Sequence, residues 1–166
     1  MAGRPIECDC VPIPPGPARM KPPNLTTRAS QIDDYIDIAR LLRQLGYDST
    51  SGMIREKLQA LLPSQADRIL VATIDQEIVG CISLHALPLF HMAGSLGRIT
   101  SMVVDARCRG QGIGSALIAA AEHWFEQAGC VKLEVTSGDH RPDAHRFYAR
   151  HGFVRNGQRL AKTMGS

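Results

Sequence analysis

The sequence predicts an α/β protein: a mixed α+β sheet carrying helices on its faces, in the order β-α-α-β-β-β-α-β-α-β-β. Three observations carry that expectation. Apolar residues switch repeatedly between a period of two and a helical period along the chain. Two β-rich runs, RILVATI and IVGCISLHAL, flank an acidic turn at Asp75 and Gln76 and so form an antiparallel hairpin. A glycine-rich turn, RGQGIG, joins the β-branched run GRITSMVV to an alanine-rich amphipathic segment.

Taken in order, LTTR is a short first strand, and Ser30 stands where the first helix needs an N-cap. Ile32, Ile36, Ala39, Leu42 and Leu45 then recur on one helical face that ends at Gly46. GMIREKLQALL is a second helix, stopped by Pro63. After the hairpin, a long loop through Pro88 leads into GRITSMVV. A helix from about Gly114 to Ala128 follows, then the strand VKLEVTS and a helix from Pro142 to Arg150. Two short closing strands are expected around Phe153 and Leu160.

Composition narrows the function classes. A chain of 166 residues is expected to be one domain, here residues 24–166, preceded by a proline-rich extension over residues 1–23 that holds seven of the ten prolines. No apolar run approaches the ~20 residues of a membrane helix, and the first residues lack the apolar core of a secretory signal. A cytoplasmic location is expected. Five cysteines, odd in number and scattered, are expected to be free thiols. The formal charge of +3 comes without a basic stripe, so no nucleic-acid partner is predicted, and neither is a membrane.

The glycine-rich turn is where chemistry concentrates. Glycines let backbone N–H groups approach an anion closely, and the start of the following helix adds donors and partial positive charge. Arg109, and with it Arg107, offers charge-assisted hydrogen bonds to the same anion. A P-loop would need a lysine after Gly114, which is absent. A dinucleotide fingerprint would need Gly or Ala at position 115 or 117, where Ser115 and Leu117 stand, and no repeated βαβ unit accompanies the turn.

The segment VVDARCRGQGIGSAL resembles the acetyl-coenzyme A signature [RQ]-x-x-G-x-[GA] of the GNAT N-acetyltransferases, with Arg109, Gly112 and Gly114 in its three defining places. DAHRFYARHGF is similar to a second segment of that family, with Ala144, Phe147, Tyr148, Gly152 and Phe153 in register. The resemblance covers the chain from about Asn24 to its end. It implies the GNAT fold, acetyl-coenzyme A as cosubstrate, and direct transfer of the acetyl group to a primary amine of a small molecule or peptide. The opposing reading is a noncatalytic acyl-coenzyme A-binding sensor; retention of Tyr148 favours the enzyme. The family also implies that the backbone of Met102, Val103 and Val104 holds the acetyl and pantetheine. Gly110, Gln111, Gly112, Ile113, Gly114 and Ser115 would hold the pyrophosphate. A bulge near Met102 would suit this by freeing a backbone donor. Small members of the family commonly dimerise, so a homodimer is expected.

The resemblance likewise assigns roles. Tyr148 is the expected acid for the departing thiolate, because a phenol keeps its proton at neutral pH. Glu134 is one candidate base; the other reading of Glu134 is a polar residue on the wetter sheet face. The carboxylate that many relatives carry on the fourth strand is replaced by Thr100 and Ser101, which leaves solvent-mediated proton removal open. His91 borders the acceptor side in its loop, and Cys108 lacks a neighbouring histidine to activate it. Arg141 stands where many relatives have a pantetheine-contacting Asn, which leaves open a contact of Arg141 with a cofactor phosphate; Ser137 or Asp139 is the substitute for the amide contact, and Asp139 or His140 is alternatively a helix cap. No metal site is predicted, because Cys8, Cys10 and the histidines complete no ligand set.

Overall fold

The computed structural model describes residues 22–138, 141–157 and 160–164. Residues 1–21 of the proline-rich segment, with Cys8 and Cys10, lie outside the described residues, as do Asp139 and His140. Five strands form one sheet in the order β1-β2-β3-β4-β5. β1 (Leu25–Ala29), β2 (Asp67–Ile74), β3 (Glu77–Pro88) and β4 (Ser95–Val104) pair antiparallel in succession, whereas β5 (Cys130–Val135) runs parallel to β4. Parallel neighbours need a long crossover, and the amphipathic helix α3 (Ile113–Gln127) supplies it. The hairpin between β2 and β3 turns at Asp75 and Gln76, both at positive φ (48° and 70°), the backbone that matches the twist of paired strands.

Helices α1 (Tyr35–Arg43) and α2 (Ser51–Leu61) cover one face of the sheet, burying Ile38, Leu41, Ile54 and Leu58 against Ile69, Val71, Cys81 and Val103. The other face receives α3 and α4 (Pro142–Arg150): Leu117, Ile118, Phe125 and Tyr148 pack with Leu70, Ile82, Leu84 and Ile99. Each large aliphatic side chain fully buried there contributes about 1.5–3 kcal/mol. Gly80 and Gly97 let the helices sit close. A Cβ on Gly80 would lie 3.1 Å from Leu117, and one on Gly97 would lie 2.7 Å from the Phe125 ring. Among the described residues no helix is long and apolar enough to cross a membrane.

Three sequence expectations are corrected. Ser30 does not cap α1: a single 3-10 turn, Ile32–Asp34, comes first, and the Asp34 carboxylate accepts from the Gln31 N–H at 2.8 Å. That turn rotates the helix, so Ile36 is exposed and Ile38 and Leu41 take the core positions. The closing strands are not formed among the described residues; Phe153 packs on Tyr148, but Val154 and Leu160 are exposed. A strand gains its stability from cross-strand burial, which the exposed Val154 and Leu160 do not have.

Candidate active site

β4 and β5 begin as a regular parallel pair and then part. Their ladder runs from Ser95 to Ile99 on β4 and stops at Val135 on β5, while β4 continues to Val104 with only β3 beside it. The wedge so opened is a cleft of about 660 Å³, walled by Thr100, Met102, Val104 and Arg109 on one side and by Ser137 and Tyr148 on the other. Backbone groups of Met102, Val103 and Val104 on the β5 side lack a strand partner there, which leaves them available to a ligand.

A β-bulge shapes the floor. Ser83 faces Ser101 and Leu84 faces Ile99, so Thr100 is the extra residue, two positions before the Met102 expected from the sequence. The extra residue inverts the alternation: Ile99 joins the α3 core and Val103 the α1/α2 core, although both are odd-numbered. Thr100 is thereby left exposed in the cleft.

The cradle lies at the end of β4. Asp105, 1% exposed, accepts from the N–H of Arg107 at 3.0 Å and starts a 3-10 turn, Ala106–Cys108. Its carboxylate is also held by the Arg40 guanidinium at 2.6 Å and the Arg107 guanidinium at 2.9 Å. Hydrogen bonding from Arg107, together with Arg40, holds the Asp105 carboxyl well below the usual range, outweighing its burial. Arg107 is therefore committed to Asp105 and to Glu77 at 2.8 Å, not to a ligand anion as its place in the sequence suggested. Arg109 lines the cleft and donates from Nε to the Val104 carbonyl at 3.3 Å.

Gly110 and Gly112 both take positive φ (76° and 79°), and Gly112 is the N-cap of α3 with no side chain capping the helix. The first bond of that turn is Ala116 N–H to the Gly112 carbonyl at 3.0 Å, so the preceding N–H groups open outward at the positive end of the helix. A Cβ at Gly112 would meet nothing within 4 Å, whereas one at Gly114 would come 3.1 Å from the Phe147 ring. The two signature glycines thus differ: one serves the shape of the loop, the other the seating of α3 on α4. Ser115 Oγ lies 3.1 Å from Nε2 of His151, whose ring packs on Phe147.

Tyr148 is buried on α4, with its ring edge-on to Phe147 and Phe153, and it lines the cleft. Burial pushes its phenol up to about 12, only partly offset by the Arg141 charge, so the hydroxyl keeps its proton throughout the neutral range. Arg141 donates to the Leu45 carbonyl at 2.7 Å, joining the start of α4 to the end of α1 across the cleft. That contact is with protein backbone, where the sequence left open a cofactor phosphate.

Glu134 stands apart from these groups. It is opposite Arg98 in the β4–β5 ladder, accepts from Arg98 at 2.8 Å and pairs with Lys132 at 3.1 Å. Lys132 first and Arg98 second draw its carboxyl below the ordinary range, which weakens it as a proton acceptor. Of the other sequence candidates, His91 is exposed in its loop and Cys108 packs against the core.

Sequence reasoning missed His85. On β3, its Nδ1 lies 2.5 Å from Asp67 Oδ1, and its Nε2 lies 2.9 Å from Thr100 Oγ1 and 3.1 Å from Ser83 Oγ. The available signal was the strand alternation that puts Ser83 and His85 on one face, but the approach of Thr100 depends on the bulge.

Comparison with known proteins agrees with this architecture. The profile of the acetyltransferase (GNAT) family matches residues 36–153. The aminoalkylphosphonate N-acetyltransferase of Salmonella typhimurium is 43% identical over 88 residues, which are 53% of this chain and 57% of that protein. The chain spans about half the length of the curated relatives it matches. Among solved structures, a transcriptional regulator from Bacillus halodurans C-125 aligns with a TM-score of 0.77 at 23% identity, over 84% of this chain and 99% of that one. An aminoglycoside N-acetyltransferase in complex with CoA aligns with a TM-score of 0.76 at 14% identity, over 84% and 94%. At such identities the structural likeness speaks for the fold alone. A family match across more than half of the chain goes further, and by it this protein belongs to the GNAT acetyltransferase family.

Proposed function

We propose that the chain is an acetyl-coenzyme A-dependent N-acetyltransferase that passes the acetyl group directly to a primary amine within a ternary complex. The observation that supports it best is the continuity of one cleft, from Arg109, which immediately precedes the positive-φ glycines at the start of α3, along the unpaired edge of β4, to the hydroxyl-bearing ring of Tyr148. The residues present suit the cosubstrate: Gly112 leaves open space where a side chain would stand, and the uncapped helix start presents N–H donors to an anion. Acetyl-coenzyme A, when bound, supplies an acetyl thioester.

The chain's own groups divide the remaining work. Backbone N–H groups from Gly110 to Ser115, with Arg109, would hold the pyrophosphate, and those of Met102, Val103 and Val104 would orient the acetyl end and stabilise charge developing on its oxygen. Tyr148 would give its proton to the leaving sulfur. Nothing opposite Arg109 or Tyr148 fixes the acceptor, so the amines named for similar proteins are the natural first probes.

Thiol release is measured with acetyl-coenzyme A and a panel holding 2-aminoethylphosphonate, an aminoglycoside and a lysine-containing peptide. Turnover with at least one amine is expected. Tight binding of coenzyme A with no thiol released by any amine would favour the sensor reading. Tyr148→Phe keeps the ring packing and removes the hydroxyl; general acid contributions are ~10²–10⁴-fold, so kcat should fall at least tenfold while coenzyme A affinity changes little. Equal losses in binding and turnover would assign Tyr148 to positioning instead.

A further inference from the structure

The polar row on the α1/α2 face has no role in binding the cosubstrate, yet it reaches the cleft through a single exposed group. Asp67 on β2 faces His85 on β3 in the antiparallel register, and their side chains meet at 2.5 Å. A carboxylate accepts only, so Nδ1 of His85 carries the proton of that contact and Nε2 is left with its lone pair. Asp67 stays ionised: its burial would raise the carboxyl, but hydrogen bonds from Ser64 and His85 lower it further.

The Nε2 lone pair points to a hydroxyl pair. Thr100 Oγ1 lies 2.9 Å away, Ser83 Oγ lies 3.1 Å away, and Thr100 donates to Ser83 at 3.1 Å, closing a triangle. Ser83 and Ser101 line the apolar pocket between α1, α2 and the sheet, and Ser101 with Thr100 also lines the cleft. The bulge therefore places one threonine hydroxyl between the cleft and a histidine oriented by a carboxylate.

We infer that His85 is the terminal proton acceptor for the amine, reached through the Thr100 hydroxyl and oriented by Asp67. The inference rests on the transferase reading above. In the step, the amine proton passes to the Thr100 oxygen as the Thr100 hydroxyl proton passes to the Ser83 oxygen and the Ser83 hydroxyl proton passes to Nε2 of His85. Threonine and serine both end neutral, the ring ends as an imidazolium beside the Asp67 carboxylate, and the nitrogen keeps its electron pair for the acetyl carbon. The exposed part of the ring returns the proton to solvent; 23% of the side chain is accessible. The charged groups facing His85 are Asp67 on β2, Arg98 across the β3–β4 ladder, Glu134 behind Arg98, and Lys57 of α2 beside Ser83. Glu134 is bound to two cations, which disfavours its taking up a proton, whereas the only charged partner of His85 among the described ion pairs is the Asp67 carboxylate.

Two readouts on the full chain test this. Nitrogen NMR of histidine-labelled protein, without any substrate, should show neutral His85 protonated on Nδ1, and Asp67→Asn should alter that balance. A neutral ring protonated on Nε2 would overturn the proposal. With saturating acetyl-coenzyme A and 2-aminoethylphosphonate, or whichever panel amine turns over, His85→Ala should lose at least tenfold in kcat, at the low end of the ~10²–10⁴-fold of acid-base catalysis. Added imidazole should restore part of the loss, and the restoration should grow with pH as the free imidazole loses its proton. A loss that imidazole does not restore would mark a structural role, and a larger loss in Glu134→Gln than in His85→Ala would return the proton to Glu134. Absence of turnover in the unaltered protein would instead overturn the transferase reading, with the histidine tautomer still read independently by NMR.

Discussion

The cradle at the start of α3 and the polar row beneath Thr100 each reach the same cleft through one residue, Arg109 and Thr100, but are built in opposite ways. In the proposed cradle, seven consecutive residues from Arg109 to Ser115 would act mainly through backbone, with Gly110 and Gly112 at positive φ. In the row, Asp67, Ser83, His85 and Thr100 come from three strands and act through side chains. The first is a local device, and its parts are spaced in sequence as they are in space. The second exists only when β2, β3 and β4 are in register and Thr100 is extruded by the bulge.

The difference makes the two regions separately breakable. The largest effect is expected beneath the cradle, where Asp105→Ala leaves Arg40 and Arg107 without their shared carboxylate. Breaking a buried ion pair costs about 3–5 kcal/mol, and the partial exposure of both arginines puts this case near the lower end. Chemical denaturation would check it. Because the folded-state carboxyl is depressed, this stabilisation is present above the ordinary carboxylate range of ~4 and is lost as pH falls below it toward the lower folded value. In Asp105→Ala the acid-side loss of stability should be correspondingly shallower.

Next comes Gly114→Val, whose new side chain must displace Phe147; overpacking of this kind costs about 1–3 kcal/mol, visible as a lower Tm. Gly112→Val meets no neighbour but is strained at a φ of 79°, so the loop should reshape while the fold survives. Coenzyme A affinity should fall at least tenfold, equivalent to about 1.4 kcal/mol, by calorimetry. An unchanged affinity in folded Gly112→Val would defeat the phosphate-cradle assignment. The smallest effect sharpens the contrast: Thr100→Val should leave coenzyme A affinity within about twofold, since the hydroxyl belongs to the row and not to the cradle. A tenfold loss of affinity there would merge the two regions into one binding surface.

Legibility followed the same division. The element order through α4 and the hairpin at Asp75 and Gln76 could be read because apolar periodicity and turn chemistry are local. The expected cap at Ser30 was displaced by the 3-10 turn over Ile32–Asp34, where the Asp34 carboxylate also receives the Arg28 guanidinium at 2.7 Å. The anion role offered to Arg107 gave way to Asp105 because a buried carboxylate must be paired, a demand that appears only once Asp105 is known to be buried. His85 carried only the alternation it shares with Ser83, since its partners Asp67 and Thr100 lie 18 and 15 residues away.

By itself the sequence determined the backbone devices: the helices and strands through α4, the hairpin turn at Asp75 and Gln76, and that a glycine-rich turn precedes a helix at the end of a strand. Each of these depends on neighbouring residues alone. The tertiary structure decided where β4 and β5 part, which face Thr100 takes, and which charged side chains are spent on one another before a ligand arrives. Those outcomes depend on register and on competition among distant partners. A one-residue bulge reverses the side-chain alternation, and a buried carboxylate captures the nearest cations, so neither result can be read from spacing along the chain.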